Sequence, residues 1–282
     1  MAIQRLQASI QARARSRRCG ADGRHKPHTD DMNYRLGIIG GGRAAWAFGS
    51  TWRRMGWPLS GVSLRPSSPS RLPALLEADA RPLSELAADS DLLLLAVSDR
   101  AIAAVAESLP PTTAIVIHPS GALASVRGGF SLHPLRVLPP VGASSDLQGS
   151  LLVFEGSHRD IAETIAQACG AQFAQISAAS KSIYHAAAVF GSNYAAVMLD
   201  MAVQLMAQAG LPDEETREPL AALAISAIEN WAAQHPAAAR FTGPAARGDH
   251  AVVAEHLAAL QGDEEFSAIY RLLAQRIVAT AK

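Results

Sequence analysis

The chain has 282 residues, 49% of them hydrophobic and 18% charged, and its 25 basic side chains balance 25 acidic ones. That length makes one large domain or two ordinary ones with ample chain for a core, and zero net charge speaks against general binding to nucleic acid or to a membrane surface. Two cysteines, Cys19 and Cys169, form no disulfide framework, and the nine histidines have no zinc-type spacing, so no metal and a reducing, cytoplasmic compartment are expected.

Residues 1–31 carry seven basic and three acidic side chains, which leaves the remainder mildly acidic. This Arg-rich stretch is poor in bulky apolar residues and has no apolar core long enough for a secretory signal, so it reads as a disordered basic extension, with an organelle transit peptide as the alternative. Met32 immediately precedes the first strand and can itself serve as a start.

The folded region is expected to begin at residue 32. The run 34–40, "YRLGIIG", a helical pattern over 43–56 and a second apolar run over 59–65 make a βαβ unit. Near-continuous apolar runs at 91–99 and 113–121, with a short helix over 100–110 between them, predict a parallel sheet covered on both faces. Runs at 151–157 and 172–177, around a helix over 159–169, extend that sheet. Apolar runs such as 92–97 are strand-length, so no bilayer span is expected.

Gly40, Gly41, Gly42, Arg43, Ala44 and Ala45 form a G-x-G-x-x-A turn between the first strand and its helix. Gly40 permits the tight turn, Gly42 leaves room for a pyrophosphate, and Ala45 lets helix and strand pack closely. The other reading is a plain glycine turn in a doubly wound protein. About twenty residues on, where an NAD site offers a carboxylate to the ribose, this chain has Arg65, Ser67, Ser68 and Arg71. Arginine and hydroxyls suit a 2′-phosphate, so NADP(H) is the expected cofactor. Val97, Ser98 and Asp99, at the carboxyl end of the third strand, complete the expected cofactor set.

From 181 to 210 runs a proline-free, apolar stretch, read as one long buried helix bent near Gly191 and stopped by Gly210 and Pro212. Roughly thirty residues would span about 45 Å, more than a small domain needs, which points to a homodimer through the C-terminal helices. Further helices are predicted over 214–234, 247–260 and 264–281. The expected organisation is an extension over 1–31, a Rossmann doubly wound α/β domain over 32–178 and an all-helical domain over 179–282, with the substrate in a cleft between the last two.

Only three of the 25 basic residues are lysines, and Lys181 is the one inside the folded body. A desolvated lysine can exchange a proton where an arginine cannot. The other reading is a solvated helix end.

The motifs "HPSGAL", "SLHPL", "KSIYHAAAVFGSNY" and "FTGPAARGD" follow the glycine turn in order. Together they resemble Rossmann-like proteins that carry a C-terminal domain of unknown function, number 2520, within the 6-phosphogluconate, 3-hydroxyisobutyrate and ketopantoate reductase superfamily. The resemblance implies that Lys181 polarises or protonates a substrate oxygen and that Asn193 fixes the substrate, although a spacing of twelve turns Asn193 about 120° from the lysine on an ideal helix. His185, one turn from Lys181, and Tyr184 reach the same face and can donate a proton. His118, Ser120 and Gly121, at the carboxyl end of a strand, correspond to a substrate contact. His133, read as part of a proline-bounded loop, approaches the nicotinamide or merely caps a turn. "TGPAARGD" reads as a loop in which Asp249 pairs with Arg247 or caps a helix, and the resemblance adds Thr242 and Arg247 to the substrate set. The implied activity is an NADP(H)-dependent oxidoreductase moving hydride to or from a small oxo acid, ketone or imine. A non-catalytic NADP(H) sensor or scaffold is the alternative, and a deazaflavin hydride partner is compatible with the first half.

Overall fold

The computed structural model describes residues 34–67, 69–233 and 241–281, so the expectations for residues 1–31 and for Ser68 lie outside the described residues. By its internal contacts the chain divides into an α/β unit that ends at Ser192 and a helical unit that begins at Asn193.

The α/β unit is built on seven strands: β1 Leu36–Ile39, β2 Leu59–Ser63, β3 Leu92–Leu95, β4 Ile115–His118, β5 Phe130–Pro134, β6 Leu151–Gly156 and β7 Gln172–Gln175. They lie in the order β2-β1-β3-β4-β5-β6-β7. All neighbouring pairs are parallel except β5 and β6, which run antiparallel with Ser131 opposite Glu155. Because β2 and β3 lie on opposite sides of β1, the chain reverses its direction of travel between β1 and β3. That is the crevice where doubly wound sheets bind ligands.

Both faces are covered, as the strand sequences require. In β3, Leu92 and Leu94 join one core cluster while Leu93 and Leu95 join the other. The first cluster receives helix α1 (Arg43–Arg54) through Ala45, Phe48 and Trp52, which recur at helical spacing on its buried face. Burying Phe48 and Trp52 contributes roughly 1.5–3 kcal/mol each. Trp52 also stacks edge-on against Trp57 and donates its indole N–H to the Tyr34 carbonyl at 2.9 Å. Two short helices, α2 Leu72–Leu76 and α3 Leu83–Asp89, stand between β2 and β3 where the sequence pattern announces no helix. Leu86 of α3 joins Ile102 and Ala106 of α4 (Asp99–Ser108) in the second cluster. Helix α5 (Arg159–Ala168) connects β6 to β7.

One correction concerns "SLHPL". The segment is strand β5 rather than a loop, and its proline ends the strand, where the lost N–H is tolerated. A second concerns "LSGVSLR": β2 ends at Ser63, so Arg65 stands on the loop beyond it.

Helix α6 (Lys181–Val189) continues through a π-helical turn, Phe190–Tyr194, into α7 (Ala195–Gln208). The irregularity includes Gly191, where the sequence predicts a bend, but the stretch is not the buried helix expected: Lys181 is the one buried residue of α6 and α7 has none. Gly210, at φ +89°, ends the run. The whole stretch Ala178–Gln208 is long and apolar enough to cross a bilayer, with a mean hydropathy of 1.4 in its most apolar window, a property that strand-length runs do not reveal. Its first turns are instead bonded to the sheet through Lys181 and Tyr184.

The helical unit continues with α8 (Asp213–Ala233), a single turn α9 (Pro244–Arg247), α10 (His250–Ala259) and α11 (Glu264–Ala281). Asp213, Glu214 and Glu215 in the first turn of α8 complement its positive end. Asp249 caps α10 by accepting from the Val252 N–H.

Candidate functional site

The glycine turn has the geometry that a dinucleotide needs. Gly40 adopts φ +114°, and a Cβ there would lie 2.3 Å from the Ala96 carbonyl oxygen, so only glycine fits against the end of β3. Around Gly42, by contrast, a Cβ would meet nothing within 4 Å. That open position caps α1, whose first turn has no acidic residue and no side-chain cap, leaving its amides to a phosphate. Ala45 is fully buried. Ser70, which the sequence reading passes over, donates to the Gly41 carbonyl at 3.0 Å and steadies the turn. Arg43, Arg65 and Ser67 are exposed, and neither arginine forms an ion pair among the described residues.

Along the same carboxyl edge of the sheet, Val97 and Ser98 follow β3, and Asp99 begins α4. The Asp99 carboxylate accepts from the Ser120 hydroxyl at 2.9 Å, which ties the end of β3 to the turn after β4. Ser120 in turn accepts from the N–H groups of Ala122 and Leu123. His118 serves the same turn. Its Nδ1 accepts from the Ser120 N–H at 3.3 Å, and its Nε2 lies 3.0 Å from the Ala124 carbonyl, which leaves neither ring nitrogen for a ligand. Burial holds its pKa below the usual histidine value.

Lys181 is buried, with 2% of its surface exposed. Its ammonium donates to the Ser120 carbonyl at 3.0 Å and to the Ser131 hydroxyl at 2.6 Å. Burial lowers its pKa, opposed by the nearby carboxylates of Glu155 and Asp99. Glu155 is itself held by the Ser125 N–H at 2.7 Å and lies 3.4 Å from the Ser131 hydroxyl. Ser131 and Glu155 are the partners that sequence reasoning missed. The available signal was a lone carboxylate inside the apolar strand "LLVFEG".

Two residues beyond Ser131 on β5, His133 lies on the same face of the sheet. Its Nδ1 is 2.5 Å from the Tyr184 hydroxyl, and the two rings meet edge to face. Burial, with His185 and Lys181 nearby, pushes His133 down to about 4, and burial pushes the Tyr184 phenol up to about 12. His185 stands edge-on to His133 at 6.2 Å between ring centroids. Its Nδ1 is buried and has no hydrogen-bond partner. A Cβ on Gly121 would fall 2.8 Å from that nitrogen and 3.0 Å from His133 Nε2, so both rings close on the glycine.

The structure thus brings Ser120, Gly121, His133, Lys181, Tyr184 and His185 together. Asn193, in the π-helical turn, Thr242, before α9, and Arg247, at the end of α9, belong to the helical unit. Among the described residues no group of three or more His, Cys, Asp or Glu is placed to hold a metal.

Comparison with known families agrees with this architecture. Residues 24–136 match the Rossmann-like domain, and residues 152–277 match the Domain of unknown function (DUF2520). The chain thus carries a match to a Rossmann-like domain followed by a match to the DUF2520 domain. No curated protein matches it in sequence. Among solved structures, the Bacteroides fragilis protein named "putative NADP oxidoreductase BF3122" is 21% identical, with a TM-score of 0.72 over 88% of this chain and 98% of that one. The NADP-bound pyrroline carboxylate reductase of Plasmodium falciparum is 14% identical, with a TM-score of 0.58 over 89% and 99% of the two chains. A reductive aminase from Aspergillus terreus, solved with NADPH4, cyclohexanone and allyl amine, is 17% identical, with a TM-score of 0.59 over 88% and 94%. At these identities the likeness is one of fold.

Proposed function

We propose that this Rossmann-like DUF2520 protein is an NADP(H)-dependent oxidoreductase acting on a small oxo acid, ketone or imine. One observation carries the reading: the dinucleotide turn at β1 and the cluster of Lys181, Tyr184, His185 and His133 share the carboxyl edge of one sheet, joined through Asp99 and Ser120. Gly40, Gly42 and the first turn of α1 would hold the pyrophosphate, while Arg65 and Ser67 would hold the 2′-phosphate. When bound, the nicotinamide supplies or accepts the hydride. The cluster beside Gly121 orients the substrate carbonyl or imine and exchanges its proton. The solved proteins of the same fold that act on pyrroline carboxylate, or bind a ketone with an amine, support a C=O or C=N substrate.

The test is to mix purified protein with NADPH or NADH and a panel of oxo acids, ketones and cyclic imines, and to follow nicotinamide absorbance. Substrate-dependent oxidation that prefers NADPH supports the proposal. Tight NADPH binding without consumption across the panel supports a sensor instead.

The same reading includes assembly of two copies through the helical unit. Helix α7 has no buried residue, and Val197, Leu223, Ile228, Leu272 and Leu273 are exposed in a single copy. A second copy covering them removes that area from water. Sedimentation should give the mass of two chains; a single-chain mass at high concentration contradicts the assembly.

A further inference from the structure

Two side chains on α6 stand in contrasting surroundings. The Lys181 ammonium donates to two buried groups, the Ser120 carbonyl and the Ser131 hydroxyl, and each serine hydroxyl leads on to a carboxylate, Asp99 or Glu155. A cation bound this way fixes the Ser120–Gly121 turn. Moving its proton to a substrate would strip both acceptors of their donor. Tyr184, less than one turn further along the helix, has its hydroxyl hydrogen-bonded to His133 Nδ1, and that ring in turn abuts Gly121.

Resting on the oxidoreductase reading, we propose that Tyr184 is the group that gives the substrate oxygen or nitrogen its proton, that His133 resupplies it, and that Lys181 is a positioning residue. When bound, a reduced nicotinamide supplies the hydride and is itself oxidised. In the reductive direction the C=O or C=N π pair moves to the heteroatom, which takes the Tyr184 phenolic proton. The phenolate takes the Nδ1 proton of His133, and the ring takes one at Nε2 from a water molecule, whose hydroxide is neutralised by a solvent proton, so that the ring ends as the other neutral tautomer and the reduction consumes one proton from solvent. In the ring's starting tautomer Nδ1–H donates to the phenol oxygen, which leaves the Tyr184 O–H for the substrate.

The electrostatics favour a relay that never charges the imidazole. Burial above all, with His185 and Lys181 facing the ring, disfavours the His133 cation against a weaker pull from Asp99, and burial keeps Tyr184 neutral. The unpartnered Nδ1 of His185 adjoins the same glycine and offers the substrate a hydrogen bond.

The test compares Tyr184→Phe with Lys181→Arg. Tyr184→Phe should lower turnover by about 10²–10⁴-fold with unchanged NADPH affinity. Lys181→Arg, which keeps the charge and cannot act as an acid, should retain more turnover and the wild-type pH profile. Nitrogen NMR of the His133 ring supplies a readout that needs no substrate. In the wild-type protein the ring should be neutral and hydrogen-bonded at Nδ1 down to pH 5, with the Nδ1 resonance shifting in Tyr184→Phe. Wild-type turnover in Tyr184→Phe overturns the proposal, as does a His133 ring that is charged near neutrality or unbonded at Nδ1. A substrate panel that finds no turnover defeats the oxidoreductase reading alone, and the resonance then still decides the pair.

Discussion

Replacing Lys181 with methionine should cost about 3 kcal/mol of stability, measured as a lower urea midpoint at unchanged slope. Methionine fills nearly the same volume, so the loss is one of charge and hydrogen bonding rather than packing. The substitution leaves the Ser120 carbonyl and the Ser131 hydroxyl without the Lys181 donor, and removes a cation that interacts with Glu155 and Asp99. Glu155→Gln should cost less in that background than in the wild-type protein, because the carboxylate it removes no longer has a cation to answer. A methionine variant as stable as the wild type would show that the ammonium is not held by the two serines.

Acid should destabilise the protein as soon as the pH falls below about 6.5, because His133 resists protonation in the folded state. His133 has a folded-state pKa of about 4 against 6.5 when unfolded. Above 6.5 both states are neutral and no cost arises. As pH falls through the window from 6.5 to 4, the unfolded chain takes up a proton that the folded chain refuses, so stability declines and the full cost is reached below 4. A shift of that size corresponds to roughly 3 kcal/mol. His118, also depressed by burial, adds in the same direction. Asp91 and Asp213 have pKa values held below 3.8 by Arg35 and Arg217, so their contributions are lost only at lower pH. Urea midpoints at pH 7 and pH 4.5 measure the effect, and His133→Phe should flatten it. Equal midpoints in the wild type would mean that His133 titrates normally.

Legibility in the sequence followed the range of the interaction that decides each element. The glycine turn was readable because Gly40, Gly42 and Ala45 answer to a strand and a helix within ten residues of one another. The fold class followed from apolar runs at βαβ spacing. Strand β5 was not readable: its proline and histidine resemble a loop locally, and only pairing with β4 and β6 makes "FSLHP" a strand. That pairing sets His133 beside Tyr184 and Ser131 opposite Glu155, contacts separated by 51 and 24 residues. Lys181 stood out by composition, yet its partners Ser120 and Ser131, 61 and 50 residues away, had no local signal. The two short helices after β2 were missed for a similar reason. Leu72, Leu76 and Leu86 are too few for a helical period and are placed by the sheet they cover.

The central claim is that the glycine turn and the Gly121 cluster serve one bound dinucleotide. A crystal structure with NADPH tests it most directly. The account predicts the pyrophosphate on the amides of Gly42 and the first turn of α1, and the nicotinamide ring beside Gly121 within reach of Tyr184. A ring lying away from Gly121, with Tyr184 and His185 facing bulk solvent, would contradict it.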